Sequence, residues 1–190
     1  MNKLELIEQY KNLHRQKSDY GSGGDVFHAQ ELEAILEPSA KILDFGCGKG
    51  DMVQHLKSKG FDCKGYDPAI EKFQQFPDGD FDAVICLDVM EHIREEDIDS
   101  VFDQIKSTKA KYIVLNICHV SAINVLPDGR NCHETVKPML WWQDRMKKSF
   151  TLYNLRQAKQ HSQLSSRWML CRFDVEQYRP IDQEDSQPSQ

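Results

Sequence analysis

A chain of 190 residues, 39% apolar and 28% charged, has the composition of one globular domain and is too short for two of typical size. Its six cysteines are scattered, with no CxxC pair and no secretory apolar segment upstream, which predicts reduced thiols and a cytoplasmic location. No apolar run approaches the ~20 residues of a membrane span, and a formal net charge of −6 disfavours a protein built to grip a phosphate backbone, so secreted mini-proteins, membrane proteins and histone-like binders are excluded.

Leu4, Ile7, Tyr10 and Leu13 recur every three residues and predict a first helix. The glycines of Tyr20-Gly21-Ser22-Gly23-Gly24 predict a loop, and Asp25 caps a second helix carrying Leu32, Ile35 and Leu36 up to Pro38. Strands and helices then alternate. Lys41–Phe45 reads as a buried strand, a helix carries Met52, Val53 and Leu56, and Phe61–Tyr66 is the next strand. A short helical piece near Ala69–Phe73 precedes the strand Ala83–Leu87. An amphipathic helix follows over Glu95–Lys106, then a strand over Tyr112–Ile117. Strands and helices at this spacing predict an α/β fold: a mostly parallel sheet with helices on both faces. Beyond Cys118, Met139–Lys148 is an expected helix, and Phe150–Leu155 and Trp168–Phe173 are candidate antiparallel strands. Residues 181–190, rich in Gln, Ser, Asp and Pro, are expected to be a disordered tail.

The segment that carries chemistry is Asp44-Phe45-Gly46-Cys47-Gly48-Lys49-Gly50. Its glycines allow a sharp strand-to-helix turn and close backbone approach to a ligand. A dinucleotide fingerprint needs glycine where Asp51 stands, and a P-loop needs a lysine followed by Ser or Thr, which is missing. Asp44 opposes a pyrophosphate and suits a cation. Asp67, at the end of the second strand, reads alone as a turn residue before Pro68; together with the glycine turn it is suited to a ribose diol.

The run Ile42–Gly50 resembles motif I of class I S-adenosylmethionine-dependent methyltransferases, and Asp67 matches their acidic ribose ligand. Phe81–Ile93, with its Glu91-His92 ending, is similar to the fourth-strand segment of the ubiquinone-biosynthesis-type small-molecule enzymes. The resemblance spans about residues 38–118. It implies a Rossmann-like, seven-stranded sheet with a reversed final strand and S-adenosylmethionine as cofactor, and says little about the acceptor. With nucleic-acid methylation motifs absent, the expected reaction is methyl transfer to oxygen or nitrogen of a small molecule. The chain is expected to be a single methyltransferase domain over residues 1–180, and the glycine content of the Tyr20–Gly24 loop and the point at which this segment enters the fold predict residues 1–37 as a helical lid. One departure stands out: between Asp67 and Phe81 only Phe73–Phe76 is available for the family's third strand, which leaves the adenine contact unassigned.

The expected cofactor-binding residues are Asp44, Gly46, Cys47, Gly48, Gly50, Asp67, Pro68, Asp88 and Tyr20, with Asp88 and a lid tyrosine (Tyr10 or Tyr20) bordering the methionine portion. Displacement at a sulfonium needs no protein nucleophile, and a base helps only where the acceptor carries a proton. The candidate bases are His92, His119 and His133, at or after strand ends. Glu91 and His92 read equally well as a surface pair at a helix start. Arg130 and Asn131, in the turn-rich stretch Leu126–Glu134, are expected with Glu91 on the acceptor side. No metal is expected, because Glu91, His92, His119 and His133 lack short ligand spacings. Trp141-Trp142 reads as a core anchor rather than a stacking platform. The sequence lacks both the Asn/Asp-Pro-Pro-aromatic run of base-amine methylation and the Pro-Cys pair of cytosine C5 methylation, so a nucleic-acid partner is not expected. The alternatives are a non-catalytic cofactor-binding subunit and an RNA methyltransferase, and the oligomeric state is open.

Overall fold

The computed structural model describes residues 2–22, 33, 36–157 and 165–171. The second expected helix, most of the polar connection before the last strand, and the tail at 181–190 lie outside these residues. The chain begins with α1 (Lys3–Gln16), started by a capping box: the Asn2 side chain accepts from the Glu5 amide, and the Glu5 carboxylate accepts from the Asn2 amide. Then come β1 (Lys41–Phe45), α2 (Asp51–Ser58), β2 (Asp62–Tyr66), β3 (Ala83–Leu87), α3 (Ile98–Ser107), β4 (Tyr112–Cys118), α4 (Met139–Met146), β5 (Thr151–Gln157) and β6 (Ser165–Cys171).

The strands form one sheet in the order β2-β1-β3-β4-β6-β5. The first four are parallel, and β6 runs antiparallel to both β4 and β5. This is the expected parallel sheet with a reversed last strand, and six of the seven expected strands lie among the described residues. The segment after β2 forms a single 3₁₀ turn at Glu71–Phe73 and no strand, so among the described residues β2 is the sheet edge. Phe73 is instead turned against the glycine backbone: a Cβ built on Gly50 or Gly65 meets its ring at 2.7 and 3.1 Å.

Alternating residues of the buried strands feed two cores, as a sheet covered on both faces requires. On one face Leu43, Val84, Cys86, Ile113 and Leu115 pack against Val101, Phe102 and Ile105 of α3 and Trp142 of α4. On the other, Ile42, Ile85 and Val114 pack against Met52, Val53 and Leu56 of α2. Trp142 is fully buried, as expected, whereas Trp141 keeps cation contacts with Lys137 and Arg145. Among the described residues no helix is long and apolar enough to cross a membrane.

The phase of the first helix corrects the expected stripe. Leu4 is exposed, while Leu6 and Leu13 are buried against Leu126 and Cys132. Steps of three residues drift backwards on a helix, so Leu4 and Leu13 lie about 180° apart and cannot share a face. The true apolar side combines Leu6 with Leu13, and the neighbouring stripe of Ile7, Tyr10 and His14 faces a cavity.

Candidate functional site

A cavity of about 460 Å³ opens where β1, β2 and β3 end, the position at which open parallel sheets take ligands. Its floor is the turn between β1 and α2. The amides of Gly46 and Cys47 both donate to the carbonyl of Tyr66, at 2.7 and 3.1 Å, which bends the chain off β1. Two glycines of this turn are required by close approach. A Cβ on Gly46 would lie 2.3 Å from the Val89 side chain, and one on Gly48 would lie 2.4 Å from the Gly21 carbonyl oxygen. Gly48 has φ 50 and Gly46 φ 78, in the left-handed region where a side chain adds strain.

The second of those contacts closes one side of the cavity. The Lys49 amide donates to the Gly21 carbonyl at 3.0 Å and its ammonium donates to the Ser18 carbonyl. His14 holds the same segment through Nδ1 and the Tyr20 carbonyl at 3.2 Å, with the two rings edge to face. The strap of residues 17–22 therefore lies over the glycine turn, and Tyr10, His14 and Tyr20 line the cavity from above.

Of the five aspartates that line this space, Asp44, Asp67 and Asp88 stand at or just beyond the ends of β1, β2 and β3. Asp44 is 4% exposed and its Oδ2 has no hydrogen-bond partner; burial, and then the nearby Asp67 charge, push it up to about 7. Asp67 accepts from the amides of Gly48 (3.0 Å) and Ala69 (2.8 Å). Burial raises its carboxyl, opposed by those amides and by His14. Asp88, just beyond β3, has φ 53 and accepts from the Asn116 side chain at 2.6 Å, a strained backbone position held by β4. A cation placed among them satisfies the orphaned oxygen of Asp44, and an anion does not.

Of the residues expected from sequence, Asp44, Gly46, Cys47, Gly48, Asp67, Pro68, Asp88 and Tyr20 line the cavity. Gly50 stands behind it, at the start of α2 against Phe73. Among the candidate bases, His92 lines the cavity. Its Nδ1 lies 2.9 Å from the carbonyl of Cys132, which only accepts, so the proton sits on Nδ1 and Nε2 keeps its lone pair. Tyr10 donates to the same carbonyl at 2.5 Å. Burial and the neighbouring His133 lower the His92 imidazole to about 4.

The remaining candidates are not brought to the cavity wall. Glu91 is fully buried behind it, and His133 stacks edge-on to His92 at 4.8 Å. His119 is only partly covered, its imidazole lowered by burial. Arg130 is paired with Asp128 and Glu134. Asn131 clasps its own loop, accepting from the amides of Ala122 and His133 and donating to the Ala122 carbonyl. The expected acceptor residues Arg130 and Asn131 thus build the loop that supports His92. The sequence reading missed His14, one helical turn beyond Tyr10. That spacing of four was the available signal, obscured by the three-residue stripe.

The chain matches the family model described as "Methyltransferase domain" over residues 24–169. No curated protein matches it in sequence. Among solved structures it resembles the magnesium protoporphyrin IX methyltransferase of Synechocystis with bound S-adenosylmethionine, at 17% identity over 82% of this chain and 81% of that one, with a TM-score of 0.60. It also resembles a TehB-like S-adenosylmethionine-dependent methyltransferase of Corynebacterium glutamicum, at 17% identity over 87% and 98%, TM-score 0.60. A third is the 1,6-didemethyltoxoflavin-N1-methyltransferase of Burkholderia thailandensis, at 14% identity over 92% of both chains, TM-score 0.60. These likenesses show a shared fold.

Proposed function

This chain belongs to the methyltransferase domain family, and from that premise we propose that it transfers a methyl group from S-adenosylmethionine to the oxygen or nitrogen of a small molecule. The observation that carries the reading is the unpartnered, buried Oδ2 of Asp44 facing a cavity at the ends of β1–β3, where a cationic sulfonium nucleoside answers the charge. S-adenosylmethionine supplies a methyl carbon on a positive sulfur, which an acceptor lone pair displaces in one step.

The residues of this chain bind and position. Asp67 presents a carboxylate to a ribose diol, and the glycine turn lets the backbone come close. Asp44 holds positive charge near the turn, and Asp88 borders the methionine portion. The strap over Gly48, with Tyr10 and Tyr20, serves as a lid that keeps water out while acceptor and methyl group are aligned. Past Asp88 the wall continues to His92, whose bare Nε2 takes the proton of a hydroxyl or amine acceptor as its lone pair engages. A cavity of about 460 Å³ is within the range of small-molecule sites. Two of the resembling structures are enzymes named for small acceptors, a porphyrin and a toxoflavin precursor.

Incubation with methyl-labelled S-adenosylmethionine and separate metabolite and RNA fractions tests the reading. Label in a small metabolite supports it. Binding without transfer to any fraction overturns catalysis, and label confined to RNA overturns the acceptor class.

A further inference from the structure

Behind the cavity wall, three side chains from separate elements converge. Glu91 lies in the 3₁₀ turn after β3, Cys118 ends β4, and His133 follows the clasped loop. Each offers one ligand atom, and these atoms all lie within 4.8 Å of one another. Methyl transfer as described above uses none of the three.

Two features mark the cluster as more than a packing accident. Glu91 is 0% exposed; its Oε1 accepts from the Cys118 amide at 2.9 Å, while its Oε2 has no partner. A buried carboxylate in that state lacks compensation, which a cation supplies. The imidazole also carries the tautomer that metal-bound histidines use. His133 Nδ1 lies 2.5 Å from the Val120 carbonyl, which only accepts, so Nδ1 carries the proton and Nε2 is bare. Its amide is fixed by Asn131 at 2.9 Å. The thiol of Cys118 turns to the same Val120 carbonyl at 3.8 Å.

We propose that Glu91, Cys118 and His133 form a binding site for a divalent transition metal of the zinc class. One thiolate, one imidazole and one carboxylate suit Zn²⁺ or Co²⁺, whereas Mg²⁺ and Ca²⁺ take oxygen ligands. Ligand atoms around tetrahedral zinc are roughly 3.3–3.8 Å apart, so the three atoms close by about 1 Å on loading. Binding ionises the Cys118 thiol and the Glu91 carboxyl, which burial and the Asp88 charge otherwise hold protonated, releases both protons to solvent and leaves a fourth position for water. The metal pins the segment 119–133 to the ends of β3 and β4. Because His133 packs on His92, loading stiffens the acceptor side of the cavity.

The test is titration of the full-length, reduced, metal-free chain with Co²⁺ alone. The expected result is one equivalent bound, with a thiolate-to-cobalt charge-transfer band that Cys118→Ser removes. Glu91→Gln and His133→Gln each weaken binding at least about tenfold, and Cys63→Ala, in the core on the other side of the sheet, leaves the band intact. Calorimetry with S-adenosylhomocysteine on each variant verifies that it is folded; if Glu91→Gln is not, Cys118→Ser carries the test. A wild-type chain that binds the nucleoside but shows no charge-transfer band, or a band that survives Cys118→Ser, overturns the metal site and leaves methyl transfer standing. A band without nucleoside binding does the reverse.

Discussion

The carboxylate of Asp67 accepts a 3.0 Å hydrogen bond from the amide of Gly48, tying the end of β2 to the turn after β1. Each of its oxygens takes one backbone amide and keeps a further lone pair for a ligand. Asp67→Ala removes both roles. Calorimetry is expected to show S-adenosylhomocysteine affinity weakened by roughly 1.5–3 kcal/mol, the cost of losing charged hydrogen bonds. Unchanged affinity removes Asp67 from the site.

Asp44 sets a pH dependence. It titrates at about 7 in the ligand-free protein, and only the ionised form attracts a sulfonium. S-adenosylmethionine affinity is therefore expected to rise about tenfold between pH 6 and pH 8 and then level off. The same shift acts on stability with the opposite sign. The folded-state value lies above the ordinary 3.8, so the native protein holds the extra proton between the two. The contribution is full below about 4 and is lost as pH rises through about 7. Melting of the ligand-free wild type falls over that window relative to Asp44→Asn, and parallel curves for the two proteins contradict the assignment.

Gly48 and Gly21 meet backbone to backbone, so the strap has no flexible side chain that can give way. Gly48→Ala puts a Cβ 2.4 Å from the Gly21 carbonyl oxygen, at a positive φ. The expected outcome is faster limited proteolysis within residues 17–22, together with at least tenfold weaker S-adenosylhomocysteine binding. Gly60→Ala, whose Cβ meets nothing within 4 Å, costs about 1 kcal/mol of stability and leaves the strap in place. Equal protease resistance of Gly48→Ala and wild type argues against the strap as a lid.

On the proposed reading His92 acts on the acceptor and not on the nucleoside. His92→Gln is expected to lower kcat about 10²–10⁴-fold while S-adenosylhomocysteine affinity barely changes. With the imidazole lowered to about 4, the rate is insensitive to this group above pH 5 and falls as pH drops through 4. An equal loss of rate and nucleoside affinity makes His92 a wall residue and not a base.

The alternation of strands and helices, the glycine turn, and the carboxylates of Asp44 and Asp67 were legible in the sequence because each depends on local causes. Runs of β-branched and apolar residues define buried strands, glycines mark a bend with little room, and an acid at a strand end points toward the ligand edge. Burial of Trp142 was legible for the same reason. The phase of α1 was not: Leu4 and Leu13 share a spacing but not a face, and only docking on Leu126 and Cys132 shows which side is covered. The missing strand after β2 was half legible: the interval from Asp67 to Phe81 is visibly short, but only the fold shows Phe73 drawn against Gly50 and Gly65 instead of extending the sheet.

Sequence alone determined the scaffold and the glycine-turn side of the cavity, because those features lie within single elements or adjoining ones. Tertiary structure alone decided that Gly21 covers Gly48, that His92 reaches the cavity while Arg130 and Asn131 hold the loop behind it, and that Glu91, Cys118 and His133 meet. Those neighbours come from segments far apart in the chain. Strand order and helix docking bring them together, and no residue spacing encodes that meeting.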